Sequence, residues 1–461
     1  MTTPTMLPER AAALVRQLRA SMRGPVLTGA DARYDAARRI WNGAVGHRPA
    51  LIARCEDGQD IATAVRAARE HALPLSVRGG GHDWAGRALC DDGLVIDLTG
   101  MRDVAVDPRA LVATVAGGAR AKDVAAAAGA HGLVAALGNC GTVGMAGLTL
   151  GGGYGPLSGT CGLAADNLLG AAIVLADGRQ VITGPDAEPE LFWALRGGGG
   201  NFGVVTSLRV RLHPARDMLA GSIIYNWNEA GAVLRRYAAF VATAPDELGV
   251  AVGVMSGPDG EPGITLVPLW NGERCRGERA MEDLRAFGTP RSAQVGPVTY
   301  ADLLAQWDAW VEAADGCHWE IRTCWLPALT AGAADSIIAA KARAASPLCS
   351  VFWHHFHSAA TRMAPDGAAF GLRREHLMVE IVAGWRPDGD DGSAHRRWAR
   401  DLRQSLAPFA LPGGYANLLG PDDREQAARA YGGSAAGLRV LKRRFDPDGV
   451  FTSAIPLPAA S

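Results

Sequence analysis

Gly138-Asn-Cys140-Gly-Thr142-Val143-Gly144-Met-Ala-Gly147-Leu-Thr-Leu-Gly151-Gly152-Gly-Tyr154-Gly155 is the stretch that decides how the chain folds. So much glycine gives up chain entropy and side-chain contacts, which does not suit a packed core. Successive N–H groups freed of side chains can instead form a concave anion site suited to a diphosphate. A second string, Arg78-Gly79-Gly80-Gly81-His82-Asp83-Trp84, has the same character. Each string carries one nucleophile, the thiol of Cys140 or the imidazole of His82, and the pair suggests a tethered cofactor.

Outward from these loops, 461 residues are too many for one ordinary core and imply two or three domains. Hydrophobic residues at 48% and charged residues at 20% describe a soluble globular chain. A net charge of -1 supplies no field towards nucleic acid or an anionic membrane. The expected partner is a small molecule, with the chain a monomer or homodimer. Met1 to Gly24 reads as a surface helix rather than a secretory signal, and no window is apolar enough to span a bilayer. The eight cysteines lack paired metal-ligand spacing, which favours a reduced, cytoplasmic setting.

Between Pro49 and His213, short apolar runs alternate with alanine-rich stretches. Strands are predicted at 50–53, 75–78, 94–98, 112–115 and 171–175, and helices at 61–71 and 122–131. After His213-Pro214 tryptophans multiply, and 264–269, 349–356 and 377–383 alternate as strands of one antiparallel sheet. Residues 1–213 form a first unit, 214–401 a second, and 402–461 a tail that returns to the first. Gly198-Gly-Gly200-Asn-Phe-Gly203 fits the dinucleotide string, yet it precedes the strand-like 204–212 instead of following a strand into a helix. The Rossmann reading fails on that context.

The chain resembles the FAD-linked oxidases of the vanillyl-alcohol oxidase superfamily, and within them the berberine-bridge-enzyme-like branch. The resemblance runs from about Ala50 to Phe451. It is carried by the two glycine strings, by Gly162-Leu-Ala-Ala-Asp166-Asn167-Leu, by Leu191-Phe-Trp-Ala-Leu-Arg-Gly-Gly-Gly-Gly-Asn-Phe-Gly203, and by Lys442-Arg-Arg-Phe-Asp-Pro447. It implies an α+β fold of two domains, one binding FAD and one built on an antiparallel sheet flanked by helices. It also implies that His82 is bonded to the flavin 8α carbon and Cys140 to C6, a bicovalent attachment. Arg78, Gly79, Gly80, Gly81, Asp83, Thr142, Val143, Gly144, Gly147, Gly151, Gly152, Tyr154, Gly155, Asp166, Asn167, Val204 and Asn417 are expected around the cofactor. Valine at 143 occupies a position where relatives with valine admit dioxygen, so the resemblance favours an oxidase releasing hydrogen peroxide.

For the base, strand periodicity puts Met378, Glu380 and Val382 on one face, inserting a carboxylate into an apolar row. A charge there costs energy unless it is paired or functional. Glu380 also matches the strand position of the glutamate base in berberine bridge enzyme. Carbohydrate- and alcohol-oxidising relatives carry Tyr-x-Asn-Tyr in the tail, and here the string is Tyr415-Ala-Asn417-Leu418. The missing tyrosine shifts weight to Glu380, with Tyr415 beside it. His355 and His357 share a strand face that His354 does not, so no metal site is expected. The expected reaction takes hydride from a C–H next to oxygen or nitrogen in a bulky bacterial natural product. A carbohydrate or alcohol oxidase, a dehydrogenase, and a flavin-containing cyclisation scaffold without net redox are the alternatives.

Overall fold

The computed structural model describes residues 8–457 except Pro258 and Pro365, with backbone alone at 8–11 and Trp310. Three sheets organise it. The first holds β1 (Val26–Leu27), β2 (Leu51–Arg54), β3 (Leu75–Arg78) and β4 (Leu94–Asp97) in the order β1-β2-β4-β3. Strands β2, β4 and β3 run parallel, with β1 antiparallel at the edge. The crossover helix Gly58–Glu70 begins where the Asp57 side chain accepts from the N–H groups of Gln59 and Asp60. Its apolar face, from Ile61 to Ala68, packs on this sheet, and β3 then releases the chain into Gly79–His82.

The second sheet contains β5 (Val104–Asp107), β6 (Val112–Ala116), β7 (Leu133–Ala135), β8 (Leu168–Val174), β9 (Gln180–Thr183) and β10 (Val204–Pro214). Its order is β5-β6-β10-β8-β9, all antiparallel, and β7 pairs with the far end of β10. The chain leaves β7 into the loop bearing Cys140. The glycine stretch beyond it is not continuous loop, because Met145–Leu150 forms a short helix.

The third sheet is antiparallel throughout: β11 (Met218–Asn226), β12 (Leu248–Ser256), β13 (Pro262–Asn271), β14 (Pro290–Pro297), β15 (His318–Leu326), β16 (Ser350–Phe356) and β17 (His376–Trp385). Its order is β14-β11-β13-β12-β16-β17-β15. The segments expected at 264–269, 349–356 and 377–383 all lie in it as longer strands. Val351, Trp353, Val379, Ile381 and Ala383 share one core with the helices Ala230–Val241, Ala331–Ala342 and Ser393–Leu406. That last helix runs through position 401, so a boundary there would divide it; Trp398, Leu402 and Leu406 all pack beneath the sheet. The N-terminal helix Pro8–Ser21 is surface-lying on one side only, since Leu14 and Leu18 are buried against the first sheet. Residues 1–7 of the expected helix lie outside the described residues. No described helix is long and apolar enough to cross a membrane.

Candidate active site

A cavity of about 420 Å³ lies between the three sheets. The glycine loops make its floor. Gly79, Gly80, Gly81, His82 and Asp83 line it from one loop, and Gly138, Asn139, Cys140, Val143, Gly144 and Gly147 from the other. The two loops meet backbone to backbone. A Cβ built on Gly80 would stand 2.2 Å from the Gly144 nitrogen, and one on Gly144 would stand 2.4 Å from the Gly80 nitrogen. Glycine at both positions is what brings His82 and Cys140 into one cavity.

His82 is stacked on Trp41 with centroids 5.4 Å apart, and the Trp41 indole N–H donates to the His82 carbonyl at 3.0 Å. Its Nε2 is buried without a hydrogen-bond partner. Burial pushes the imidazole down to about 4, so the ring is neutral at neutral pH. The residue lines the cavity with a neutral ring whose Nε2 has no protein partner. Cys140 differs from a reactive low-pKa thiol: burial first, then the nearby charges of Asp308 and Glu380, push it up to about 12. Cys140 is therefore held as the neutral thiol.

The roof is the inner face of the third sheet. Phe352 and His354 of β16 and Met378, Glu380 and Val382 of β17 all line the cavity, as strand alternation requires. Trp41, Trp84, Trp307 and Trp319 extend its apolar wall. Glu380 Oε1 lies 3.3 Å from His354 Nε2, and the Asn139 amide nitrogen is 3.1 Å from the same ring nitrogen. A chain of contact thus runs from the Cys140 loop to Glu380.

Tyr415 lines the cavity, and its phenol oxygen accepts from the Gly153 N–H at 3.1 Å and the Asn417 amide at 2.9 Å. Burial holds this phenol at about 12, so it serves as a neutral hydrogen-bonding group and not as a base at ordinary pH. Its ring meets Tyr154 edge-on at 4.7 Å, and the Tyr154 hydroxyl is 2.7 Å from His376 Nε2. Tyr154, Val204 and Asn417 line the cavity, and so does Leu418 where the second tyrosine is absent.

Seven expected cofactor residues are not among those lining the cavity. Arg78 donates to the carbonyls of Ala37 and Arg39. The Thr142 N–H donates to Asp308 Oδ1 at 3.0 Å. Gly151 makes room for Asn417, whose Oδ1 would be 2.1 Å from a Cβ there; Gly152 abuts Phe370, and Gly155 the Leu137 carbonyl. Asp166 is a buried bidentate partner of Arg373 at 2.8 and 2.9 Å. Asn167 donates to the carbonyls of Cys161 and Leu163. These residues hold the loops that hold the site.

His355 and His357 stack at 4.2 Å, and burial pushes both to about 4. Among the described residues no group of three metal-ligating side chains converges. Trp41 and Asp308 carried no motif. Asp308 did leave a sequence signal, since it shares a helical stripe with Leu304 and Val311.

A model described as an FAD binding domain matches residues 49–184. The chain is 31% identical over 452 residues to (R)-6-hydroxynicotine oxidase of Paenarthrobacter nicotinovorans, covering 94% of this chain and 96% of that one. It is 29% identical to an FAD-linked oxidoreductase, pgmH, of Aspergillus terreus, over 97% of this chain and 96% of the other. Among solved structures, 6-hydroxy-D-nicotine oxidase from Arthrobacter nicotinovorans superposes with a TM-score of 0.87 at 30% identity, covering 95% and 98%. A chitooligosaccharide oxidase superposes at 0.86 with 22% identity, over 98% and 100%, a likeness of fold.

Proposed function

The chain belongs to the FAD-linked oxidoreductases, and on that basis we propose an oxidase of a bulky small molecule carrying a C–H next to oxygen or nitrogen. The observation that carries this reading is Glu380, set in an apolar strand face and reaching the cavity opposite the two glycine loops. His82 and Cys140 would hold FAD, which when bound would supply a hydride acceptor that dioxygen can reoxidise with release of hydrogen peroxide. The fit rests on the unpartnered His82 nitrogen and on the backbone-lined floor.

Glu380 takes the proton from the substrate hydroxyl, phenol or amine as hydride departs, a contribution typically worth 10² to 10⁴ in rate. His354 orients the carboxylate from 3.3 Å and is itself held by Asn139. Tyr415 and Asn417 position the substrate's polar edge or the cofactor's, while Trp84, Trp307, Phe352 and Val382 exclude water and favour a flat, apolar molecule. A natural-product intermediate suits that wall better than a sugar, which would leave its hydroxyls unpaired.

The test is anaerobic mixing of the flavin-loaded protein with aromatic amines, phenols, benzylic alcohols and oligosaccharides. Bleaching of the flavin by an aromatic amine, phenol or alcohol, followed in air by one peroxide per turnover, is the expected result. Bleaching by oligosaccharides alone would replace this reading with a carbohydrate oxidase. Bleaching by nothing in the panel would favour the redox-silent scaffold.

A further inference from the structure

Resting on the bicovalent attachment proposed above, we propose that Asp308 is the proton acceptor through which Cys140 becomes joined to the flavin. Asp308 sits on the helix Tyr300–Ala313, its residue only 9% exposed, and no cation pairs with it among the described residues. Its sole hydrogen bond there is the one that Oδ1 accepts from the Thr142 N–H. A carboxylate this little exposed and without a cation is costly to keep, and such groups gather where chemistry uses them.

Its position is specific. Oδ2 lies 2.5 Å from where a Cβ on Gly141 would stand, so only glycine at 141 lets the carboxylate rest against the loop next to Cys140. Cys140 itself needs help, since its buried thiol is held at about 12 and only about one in 10⁵ is ionised at neutral pH. The other groups facing it are less suited. Glu380 is engaged by His354, and burial makes the His82 ring a weak base.

The step balances as follows. The Cys140 sulfur forms a bond to flavin C6 while the thiol proton passes to Asp308. The C6 hydrogen and one electron pair are then surrendered to dioxygen, which becomes hydrogen peroxide with the second proton. Asp308 returns to its starting state.

Asp308→Asn keeps an oxygen for the Thr142 N–H and removes the proton acceptor, so it separates this role from simply holding the loop. Purified wild type, Asp308→Asn, Asp308→Glu and Glu380→Gln are digested, and the peptides carrying residues 82 and 140 are weighed. The expected result is flavin on both peptides in the wild type, and in Asp308→Asn flavin on the His82 peptide with Cys140 free to react with iodoacetamide. Asp308→Glu is expected to recover Cys140 attachment in part, and Glu380→Gln to keep it. Full attachment at Cys140 in Asp308→Asn, or its loss in Glu380→Gln instead, would overturn the proposal while leaving the bicovalent reading intact. A flavin-free Cys140 peptide in the wild type would overturn both. Retained flavin on His82 and an unchanged melting temperature show that Asp308→Asn is folded; if it is not, Asp308→Glu failing to attach Cys140 any faster than wild-type protein held without dioxygen would count against the role.

Discussion

The floor of the cavity presents backbone where the roof presents side chains. Gly79, Gly80, Gly81 and Gly144 bring main chain from two sheets to the surface of the cleft, with His82 and Cys140 as the only nucleophiles among them. Phe352, His354, Met378, Glu380 and Val382 project from two neighbouring strands whose alternate residues fill a core on the far side. The floor tolerates little change, because a Cβ at Gly80 or Gly144 meets backbone. The roof can exchange one inward side chain for another without disturbing its strand. Under the proposed function, cofactor attachment and substrate choice therefore fall to surfaces with different freedom.

The sharpest way to break this division is to remove both floor nucleophiles. His82→Ala with Cys140→Ala is expected to release all flavin on acid precipitation, while the wild type keeps its colour on the pelleted chain. Colour lost equally from both proteins would end the tether assignment. On the roof, Glu380→Gln should slow anaerobic flavin reduction by about 10² to 10⁴ while the flavin stays attached. Equal loss of attachment would show that the surfaces are not separable.

Acid stability divides them more finely. His82, His355 and His357 are held near 4 and His376 near 3 by burial, against an ordinary value of 6.5. Below 6.5 the unfolded chain takes up protons that the folded one refuses, so stability present in full above 6.5 falls as pH drops towards 4. Each fully protonated site is worth on the order of 3 kcal/mol at most for the three held near 4, and about 5 kcal/mol for His376. Since three of the four belong to β16, β17 and the residue following β16, His82→Ala should keep most of the fall in melting temperature between pH 7 and pH 5. A variant with no remaining acid sensitivity would place it in the floor. Gly80→Ala is expected to lose about 1–3 kcal/mol or more in thermal unfolding, because the added Cβ meets the Gly144 backbone and not a side chain that could swing away. No change at all would mean that the close approach of Gly80 and Gly144 is unimportant.

The same contrast explains what was legible in the chain. Glycine strings are local, so His82, Cys140, Val143 and Gly144 could be placed from sequence, and period-2 alternation put Glu380 on the correct strand face. Asp166 and Asn167 spend their side chains on Arg373 and on the carbonyls of Cys161 and Leu163, because a motif marks residues that shape a loop as readily as those that line a cavity. Trp41 reaches His82 from a loop some 40 residues earlier, a contact no periodicity encodes. Helix Ser393–Leu406 crosses position 401 and belongs by packing, not by composition, to the sheet before it.

The meeting of Gly80 and Gly144 has a mechanical consequence. A cofactor bonded to both loops would close a ring of roughly 60 residues and act as a staple, removing loop entropy from the unfolded chain much as a cystine does, on the order of 4 kcal/mol. A protein of this kind need not spend a disulfide to hold its first two sheets together: the pigment it carries would be its clasp.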